Sequence, residues 1–485
     1  MRPTKVLLSY LIFGPIIGAI VVYFAGFAGE KISKALTIIF SAATVAATLF
    51  MLIGFNWSTT GFQLVETYDW ASAFGLSYIV GVDGISLPLL IITSLLTTLA
   101  AAGSWNQITT KVKEYNALLL LFEGAIVGVF TSLNLIAFYV FWELVLIPMF
   151  FFVGVWGGPR KRYAAMKFLV MTHVGSILLL LSFISLYVLS TPHTFNFTEL
   201  ENLHLPLVIQ ILISLGFFIG FGVKMPIFPF HTWLPDAHVE APAPISVLLA
   251  GLLLKMGGYG FIRMNLYLLP EASKYLAPFF IGVAIFTMFY GAIVAMIQQD
   301  FKRMVAFTSI NHMGYVLLGA FTLTTVGVSN AVFQMFNHAL AIGALFLMSG
   351  VIHEHMGTRT IRELPGLGSA MPKTSFLLVL ASLAAMGFPG FSNFISEYYI
   401  LQAGISVNTL YAVAVLVPGI TAGYFVWTLR RVLFAPVAKV MASREAPWYN
   451  LLTLGIFLIP LVILGLYPAP LLQNVIIPAV QALPH

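Results

Sequence analysis

The chain has 485 residues, of which 60% are hydrophobic and only 8% are charged, and its mean hydropathy is +0.98. Because soluble chains carry about 25% charged residues, this composition excludes a soluble globular protein and predicts a polytopic membrane protein. The sequence contains no cysteine, which excludes disulfides, thiolate-bound iron–sulfur clusters and cysteine-type zinc sites. The net charge of +6 does not indicate nucleic-acid binding, since Lys and Arg gather in the cytoplasmic loops of membrane proteins.

Fourteen apolar segments follow one another along the chain, and each is long enough to cross a bilayer as a helix. Their lengths of about 20 residues and their lack of alternation favour helices over barrel strands. We therefore predict an all-α integral membrane fold with about 14 transmembrane helices, forming a single polytopic domain over residues 1–485. The predicted spans are 6–27, 33–55, 82–104, 115–132, 134–156, 164–190, 205–225, 242–265, 276–298, 304–325, 328–351, 374–402, 407–430 and 448–468.

The segments between the spans predict the orientation. Residues 56–81 are mixed and aromatic, which indicates an extramembrane or interfacial loop, and the tail after Pro468 is too short and proline-rich to cross. With the N-terminus outside, 17 basic residues lie in inner loops, and Lys224 and Lys255 lie within or beside spans. The outer side then holds only Arg2, Lys5, Arg263 and Lys274. This bias predicts that both termini lie outside.

Two predicted spans, the seventh and the twelfth, are interrupted by proline, in KMPIFPF and FPGFSNFISEYYIL. Proline removes a helix donor, and broken helices at membrane depth occur where the backbone lines a cavity or a transport site. The two broken spans are offset by five positions in the order of helices, and an odd offset inverts topology. We therefore predict two inverted five-helix repeats, at about 115–265 and about 276–430, that form two half-channels with broken helices 7 and 12.

Five ionisable residues interrupt the apolar runs. A charge at the centre of a span costs about 2.5–3.5 kcal/mol on insertion scales, so such groups pair, face the bundle interior or line a wet pathway. The default hypothesis is an ion or proton path, and the structural alternatives are an ion pair, a packing hydrogen bond or a lysine that snorkels at a helix end. The five residues are Glu123, Glu143, Lys224, Lys255 and Glu397.

Histidines add candidate relays, because imidazole gains and loses a proton near neutral pH. His338 lies inside a span and is the first candidate, although a satisfied buried histidine is nearly as favoured. The auxiliary candidates are Glu123, His231, His238 and His312. A structural interpretation is favoured for His312, as it is for His173. His231 and His238 are seven positions apart with a proline between them, which argues against a shared metal. HExxH, GxGxxG and P-loop motifs are absent from the sequence, so no metal or cofactor is expected.

Four long stretches resemble the proton-pumping, antiporter-like membrane subunits of respiratory complex I. They are FWELVLIPMFFFVGVWGGPRKRYAAMKF, KMPIFPFHTWLPDAHVEAPAPISVLLAGLLLKMGGYGFIR, DFKRMVAFTSINHMGYVLLG and PGFSNFISEYYIL. The likeness extends over roughly residues 80 to 435. It implies proton translocation driven by quinone reduction elsewhere in an NADH:quinone oxidoreductase, with subunits of the L and N type as neighbours, in a bacterial or archaeal plasma membrane.

The resemblance also implies roles for single residues. Glu143 and Lys224 are the charged pair of the first half-channel, Lys255 is the central lysine, His338 is a relay and Glu397 is the outlet of the second half-channel. Mrp-type antiporter subunits usually carry Lys at the position of Glu397, which argues against a cation/proton antiporter without redox drive. That antiporter, the same pump in a ferredoxin- or hydrogenase-linked complex, and an inert scaffold are the alternatives.

Overall fold

The computed structural model describes residues 6–57, 59–71, 75–364, 366–434 and 445–483. Thirteen helices in this part of the chain are long and apolar enough to cross a membrane, and two shorter helices, Pro372–Ala385 and Ser392–Val407, occupy most of the twelfth predicted span. The predicted class, an all-α integral membrane protein, is confirmed. The long helices are α1 (Leu7–Ala25), α2 (Glu30–Gly54), α3 (Ser86–Gly103), α4 (Val112–Thr131), α5 (Leu135–Trp156), α6 (Lys161–Leu189), α7 (Leu207–Lys224), α8 (Ala243–Leu266), α9 (Pro270–Met296), α10 (Phe301–Phe321), α11 (Thr325–Met356), α12a (Pro372–Ala385), α12b (Ser392–Val407), α13 (Thr409–Leu433) and α14 (Trp448–Leu466).

Short elements connect these helices. A β-hairpin lies between α2 and α3, and it consists of the antiparallel strands β1 (Gln63–Ala71) and β2 (Leu76–Val82). The short helices are Phe197–Leu200, Trp233–Glu240, Ile361–Glu363, Leu367–Ala370, Leu472–Ile476 and Ile477–Gln481.

The hairpin refines the prediction for residues 56–81. That segment does not span, as predicted, but it is folded rather than a simple loop. The Glu66 carboxylate accepts hydrogen bonds from the Leu8 N–H at 2.7 Å and the Ser9 N–H at 3.2 Å. Because the first N–H groups of a helix have no partner within the helix, Glu66 both caps α1 and fixes the hairpin to it.

Burial divides the helices into a centre and a periphery. The most apolar stretches of α8 and α10 are entirely buried and that of α11 is 94% buried, whereas α2, α13 and α14 are buried over a third or less. The exposed sides of the peripheral helices carry large apolar residues such as Ile17 and Leu181, as expected for surfaces that face lipid. Ionisable residues on the central helices are therefore shielded from lipid by the rest of the chain.

In both proline-containing segments one helix ends and another begins several residues later. α7 ends at Lys224, and the next helix begins only at Trp233. Between α12a and α12b, Gly387 has φ +69° and Gly390 has φ +102°, values that glycine adopts without the steric cost of a side chain. The inverted-repeat relation between residues 115–265 and 276–430 stays a prediction.

The orientation also stays a prediction. Four of the basic residues on which it depends, Arg2, Lys5, Lys439 and Arg444, lie outside the described residues.

Candidate functional site

Lys255 lies at the centre of the fold and contacts a histidine. Its side chain is completely buried on α8, and its Nζ lies 2.6 Å from the Ala250 carbonyl oxygen and 2.5 Å from His338 Nδ1 on α11. Residues Leu249–Leu253 form a π-helical turn, in which the Leu254 N–H donates to Leu249 and not to Ala250. Because of this turn the Leu254 N–H does not occupy the Ala250 carbonyl oxygen, which accepts from Lys255 Nζ instead. π-Helical turns are frequent at functional sites.

Beyond His338, the chain of contacts that begins at Lys255 continues to His312 and then to Glu397. The His338 and His312 rings meet edge to face with centroids 5.4 Å apart, and His312 Nε2 lies 3.6 Å from Glu397 Oε1. All three side chains are buried. Lys255, His338, His312 and Glu397 therefore form one continuous row of titratable groups from four different helices, α8, α11, α10 and α12b.

Glu397 is held at the break between α12a and α12b. Gln334 on α11 donates a hydrogen bond to its Oε1 at 3.1 Å, and Ser396 in turn donates to Gln334. A Cβ on Gly387 would lie 2.7 Å from Glu397 Oε2, so the glycine both permits the turn and leaves room for the carboxylate. The interruption of the helix thus positions the acid.

Buried polar atoms without partners surround this end of the row. Among the described residues, Asn337 Oδ1, both amide atoms of Asn393, Ser392 Oγ and the Tyr315 hydroxyl make no hydrogen bond. Because unpaired buried polar atoms are costly, they are usually satisfied by ordered water. We infer that the region around Glu397 is hydrated, which a proton path requires.

Lys224 and Glu143 are near each other but not in direct contact. The predicted pair forms no ion pair within 4.0 Å, and the buried Lys224 Nζ has no hydrogen-bond partner among the described residues. Instead Nζ lies 4.6 Å from the centre of the Trp142 ring, a cation–π contact. Glu143 Oε2 lies 3.3 Å from His173 Nδ1 on α6, although the Glu143 charge still acts on Lys224.

The other auxiliary candidates each have different neighbours. His238 is buried, stacks on Phe346 with centroids 4.2 Å apart, and lies within electrostatic range of Lys255. His231 packs edge to face against Tyr290. Glu123 is buried on α4 beside Thr44 of α2.

The contacts of two histidines, His312 and His173, were not evident from the sequence. His312 was only an auxiliary candidate, yet it bridges His338 and Glu397. His173 was given a structural interpretation, yet it contacts Glu143. Their contacts join different helices, and spacing along one helix does not reveal them.

The fold and the site together define a class of protein: a polytopic helical membrane protein with titratable side chains along its buried centre. Comparison with known proteins places it further. A family described as "NADH:quinone oxidoreductase/Mrp antiporter, TM" matches residues 132–421, a range that includes Glu143, Lys224, Lys255, His338 and Glu397. The chain belongs to this family.

Relatives match over most of the chain. NADH-quinone oxidoreductase subunit M of Rickettsia conorii is 38% identical over 478 residues, which cover 96% of each chain. NAD(P)H-quinone oxidoreductase chain 4 1 of Picosynechococcus sp. is 39% identical over 444 residues, which cover 87% of this chain and 83% of that one. The predicted resemblance to complex I membrane subunits is confirmed.

Solved structures share the fold. A chain of respiratory complex I from Thermus thermophilus with bound NADH matches with a TM-score of 0.90 at 25% identity and covers 98% of both chains. A chain of the Mrp complex from Dietzia sp. matches with a TM-score of 0.88 at 20% identity, covering 100% of this chain and 98% of that one, and this shows the fold alone.

Proposed function

We propose that this chain is a proton-translocating membrane subunit of an NADH:quinone oxidoreductase of the complex I type. Protons pass along Glu143, Lys224, Lys255, His338 and Glu397, and His312 joins the last two. The observation that carries the proposal is the row Lys255–His338–His312–Glu397, buried inside a membrane domain. Intramembrane ionisable residues mark ion and proton pathways, and these four contact one another in sequence.

The chemistry of the row suits proton transfer. A protonated Lys255 donates to His338 Nδ1, and a neutral Lys255 accepts from it, so the 2.5 Å contact serves in either direction. Two unit charges 4 Å apart interact by about 4 kcal/mol at an effective dielectric constant of 20. The arrival or removal of one proton therefore changes the proton affinity of the next group strongly enough to move it.

The free energy for moving protons against the membrane potential comes from outside this chain's row of titratable groups. Moving one proton against 100 mV costs about 2.3 kcal/mol, and quinone reduction elsewhere in the complex supplies it. Coupling then requires contact with neighbouring subunits. Glu143 offers such a contact, because 25% of its side chain is exposed on the outer surface of the chain. A carboxylate against lipid costs about 2.5–3.5 kcal/mol, so we propose that another membrane subunit of the L or N type covers it.

Substitution of Lys255 by methionine in the assembled complex tests the proposal. Methionine has a similar length but no titratable group, so we expect both proton uptake into vesicles and coupled quinone reduction to fall. Lys274→Met is the matched control, since Lys274 is exposed and forms a surface ion pair with Glu271 at 3.6 Å. Normal proton uptake in an assembled Lys255→Met complex would contradict the proposal. Uptake driven by a sodium gradient without quinone reduction would indicate the antiporter alternative.

The chain is an integral, multi-pass membrane protein, and we propose that it lies in a bacterial plasma membrane with both termini outside. Because the sequence has no cysteine, single cysteines can report sidedness. A cysteine in place of Lys274 should react with an impermeant maleimide from the outside, and one in place of Glu354 should react only from the inside. The reverse pattern would overturn the orientation. Auxiliary roles of Glu123, His231 and His238 in proton transfer stay predictions.

A further inference from the structure

Two neighbouring residues of α5 are fixed by α6. Trp142 Nε1 donates to Ser176 Oγ at 3.0 Å, and Glu143 Oε2 lies 3.3 Å from His173 Nδ1. His173 and Ser176 are three positions apart and therefore lie on one face of their helix. α6 thus holds both the aromatic ring on which the Lys224 ammonium rests and the carboxylate that acts on it.

Glu143 has one engaged oxygen and one free oxygen. Oε2 faces His173, whereas Oε1 is buried and, within the part of the chain that the structure describes, has no hydrogen-bond partner. The buried Nζ of Lys224 likewise has none. A buried ammonium and a buried carboxylate oxygen that are both unpaired and lie near each other form a pair that is open in this structure.

We propose that Glu143 exchanges between two partners, His173 and Lys224, and that His173 is a positioning residue that sets how often the Glu143–Lys224 pair closes. The inference rests on the function proposed above. A protonated His173 attracts Glu143 and keeps the pair open, while Trp142 supports the Lys224 ammonium through its ring face. A neutral His173 releases Glu143, which then closes on Lys224.

The two partners of Glu143 differ in their surroundings. The His173 side chain is 57% exposed on the outer surface of the chain, whereas Lys224 is 1% exposed. Movement of the carboxylate from one to the other carries a negative charge from the surface toward the centre of the fold. A neighbouring subunit that contacts His173 can therefore influence the proton path.

Other ionisable groups near this switch act on it less directly. Lys167, on the same helix, is neutralised by Asp236 at 2.7 Å. Tyr139 from α5 and Lys224 from α7 both lie within electrostatic range of Glu143.

The pH profile of proton uptake by the assembled complex tests the exchange. Wild-type uptake should fall on the acidic side, by about tenfold per pH unit below the midpoint of a single ionisation, because protonated His173 holds Glu143. In His173→Gln this acidic limb should be absent, since glutamine keeps a hydrogen-bond donor but does not titrate. His173→Lys, a permanent cation, should pump slowly at every pH.

Controls separate the possible failures. His193→Gln changes an exposed histidine in the segment after α6 and should leave the profile unchanged. If the His173→Gln profile superimposes on that of the wild type while Lys255→Met still abolishes uptake, the exchange is wrong and the proposed function stands. If Lys255→Met also pumps normally, the proposed function itself is wrong. Should the glutamine variant not assemble, His173→Asn gives the same comparison.

Discussion

Gly257 lies where α8 packs against the end of α7, between the two lysines of the proposed path. A Cβ at this position would lie 2.6 Å from the Phe221 carbonyl oxygen and 2.7 Å from Met225 Cβ. Ordinary contact begins at 3.4 Å, so Gly257→Ala requires the two helices to separate by about 0.8 Å. Overpacking of this kind costs about 1–3 kcal/mol.

The displacement should affect function more than stability. A misplacement of about 1 Å lowers the rate of a reaction that depends on positioning by up to about 100-fold, and Gly257 is two residues from Lys255. We expect Gly257→Ala to lower the ratio of protons taken up to quinone reduced, measured in vesicles. We also expect a lower melting temperature of the detergent-solubilised complex.

Two matched glycines make this prediction refutable. At Gly258 a Cβ would lie 2.6 Å from the Met335 sulfur and 3.2 Å from Val316 Cγ1. Both are side-chain atoms, and a flexible thioether can move aside, so Gly258→Ala should be milder. At Gly282 nothing lies within 4 Å, and Gly282→Ala should be neutral or stabilise its helix by about 0.5–1 kcal/mol. If Gly257→Ala behaves like Gly282→Ala in both assays, the close approach of α7 and α8 does not set the geometry of the path.

Three further substitutions test other parts of the structure. Arg263→Met leaves the buried Asp83, its ion-pair partner, without a counter-charge, which should destabilise the complex by about 3–5 kcal/mol; an unchanged thermal melt would show that Asp83 finds another partner. Glu397→Gln keeps a hydrogen-bonding group beside Gln334 but removes the charge, so uptake should fall with assembly intact, and normal uptake would remove Glu397 from the path. Partial burial opposes ionisation of Glu445, but hydrogen bonds, the largest from the Thr374 hydroxyl, lower its pKa below 4.5. A carboxyl with a lowered pKa stabilises the fold above its unfolded value and loses that contribution as pH falls through the folded value. Glu445→Gln should therefore weaken the dependence of the melting temperature on pH below about 4.5, and an identical dependence in the variant would contradict this role.

The spans were predictable because length and apolarity alone define them. Residues 448–468 were predicted for α14, which runs from Trp448 to Leu466, and residues 33–55 for α2, which runs from Glu30 to Gly54. The hairpin was not predicted. Its strands are held by pairing, as between Tyr68 and Tyr78, and by the contact of Glu66 with α1, and neither leaves a strong local pattern.

The site was predictable only in part, for a related reason. Lys255 and Glu397 stand out because they carry charge within apolar runs. His312 does not, since it lies in SINHMGY, where polar neighbours lower the contrast. Its role depends on the packing of α10 against α11, which brings its ring to His338. Similarly, the family resemblance implies that Glu143 and Lys224 form a pair, whereas in the structure Lys224 lies over the Trp142 ring and Glu143 contacts His173.

The complete burial of the most apolar stretches of α8 and α10 bears on how the chain enters the membrane. A helix with a central lysine such as Lys255 is costly to leave in lipid, by about 2.5–3.5 kcal/mol, and neither α8 nor α10 has a lipid-facing side in the folded chain. We therefore expect these two helices to be poor independent insertion units. They should stay beside the translocation machinery until α11 and α12b, which follow later in the chain, supply His338 and Glu397. Biogenesis of the subunit would then be complete only when the row of titratable groups has been assembled.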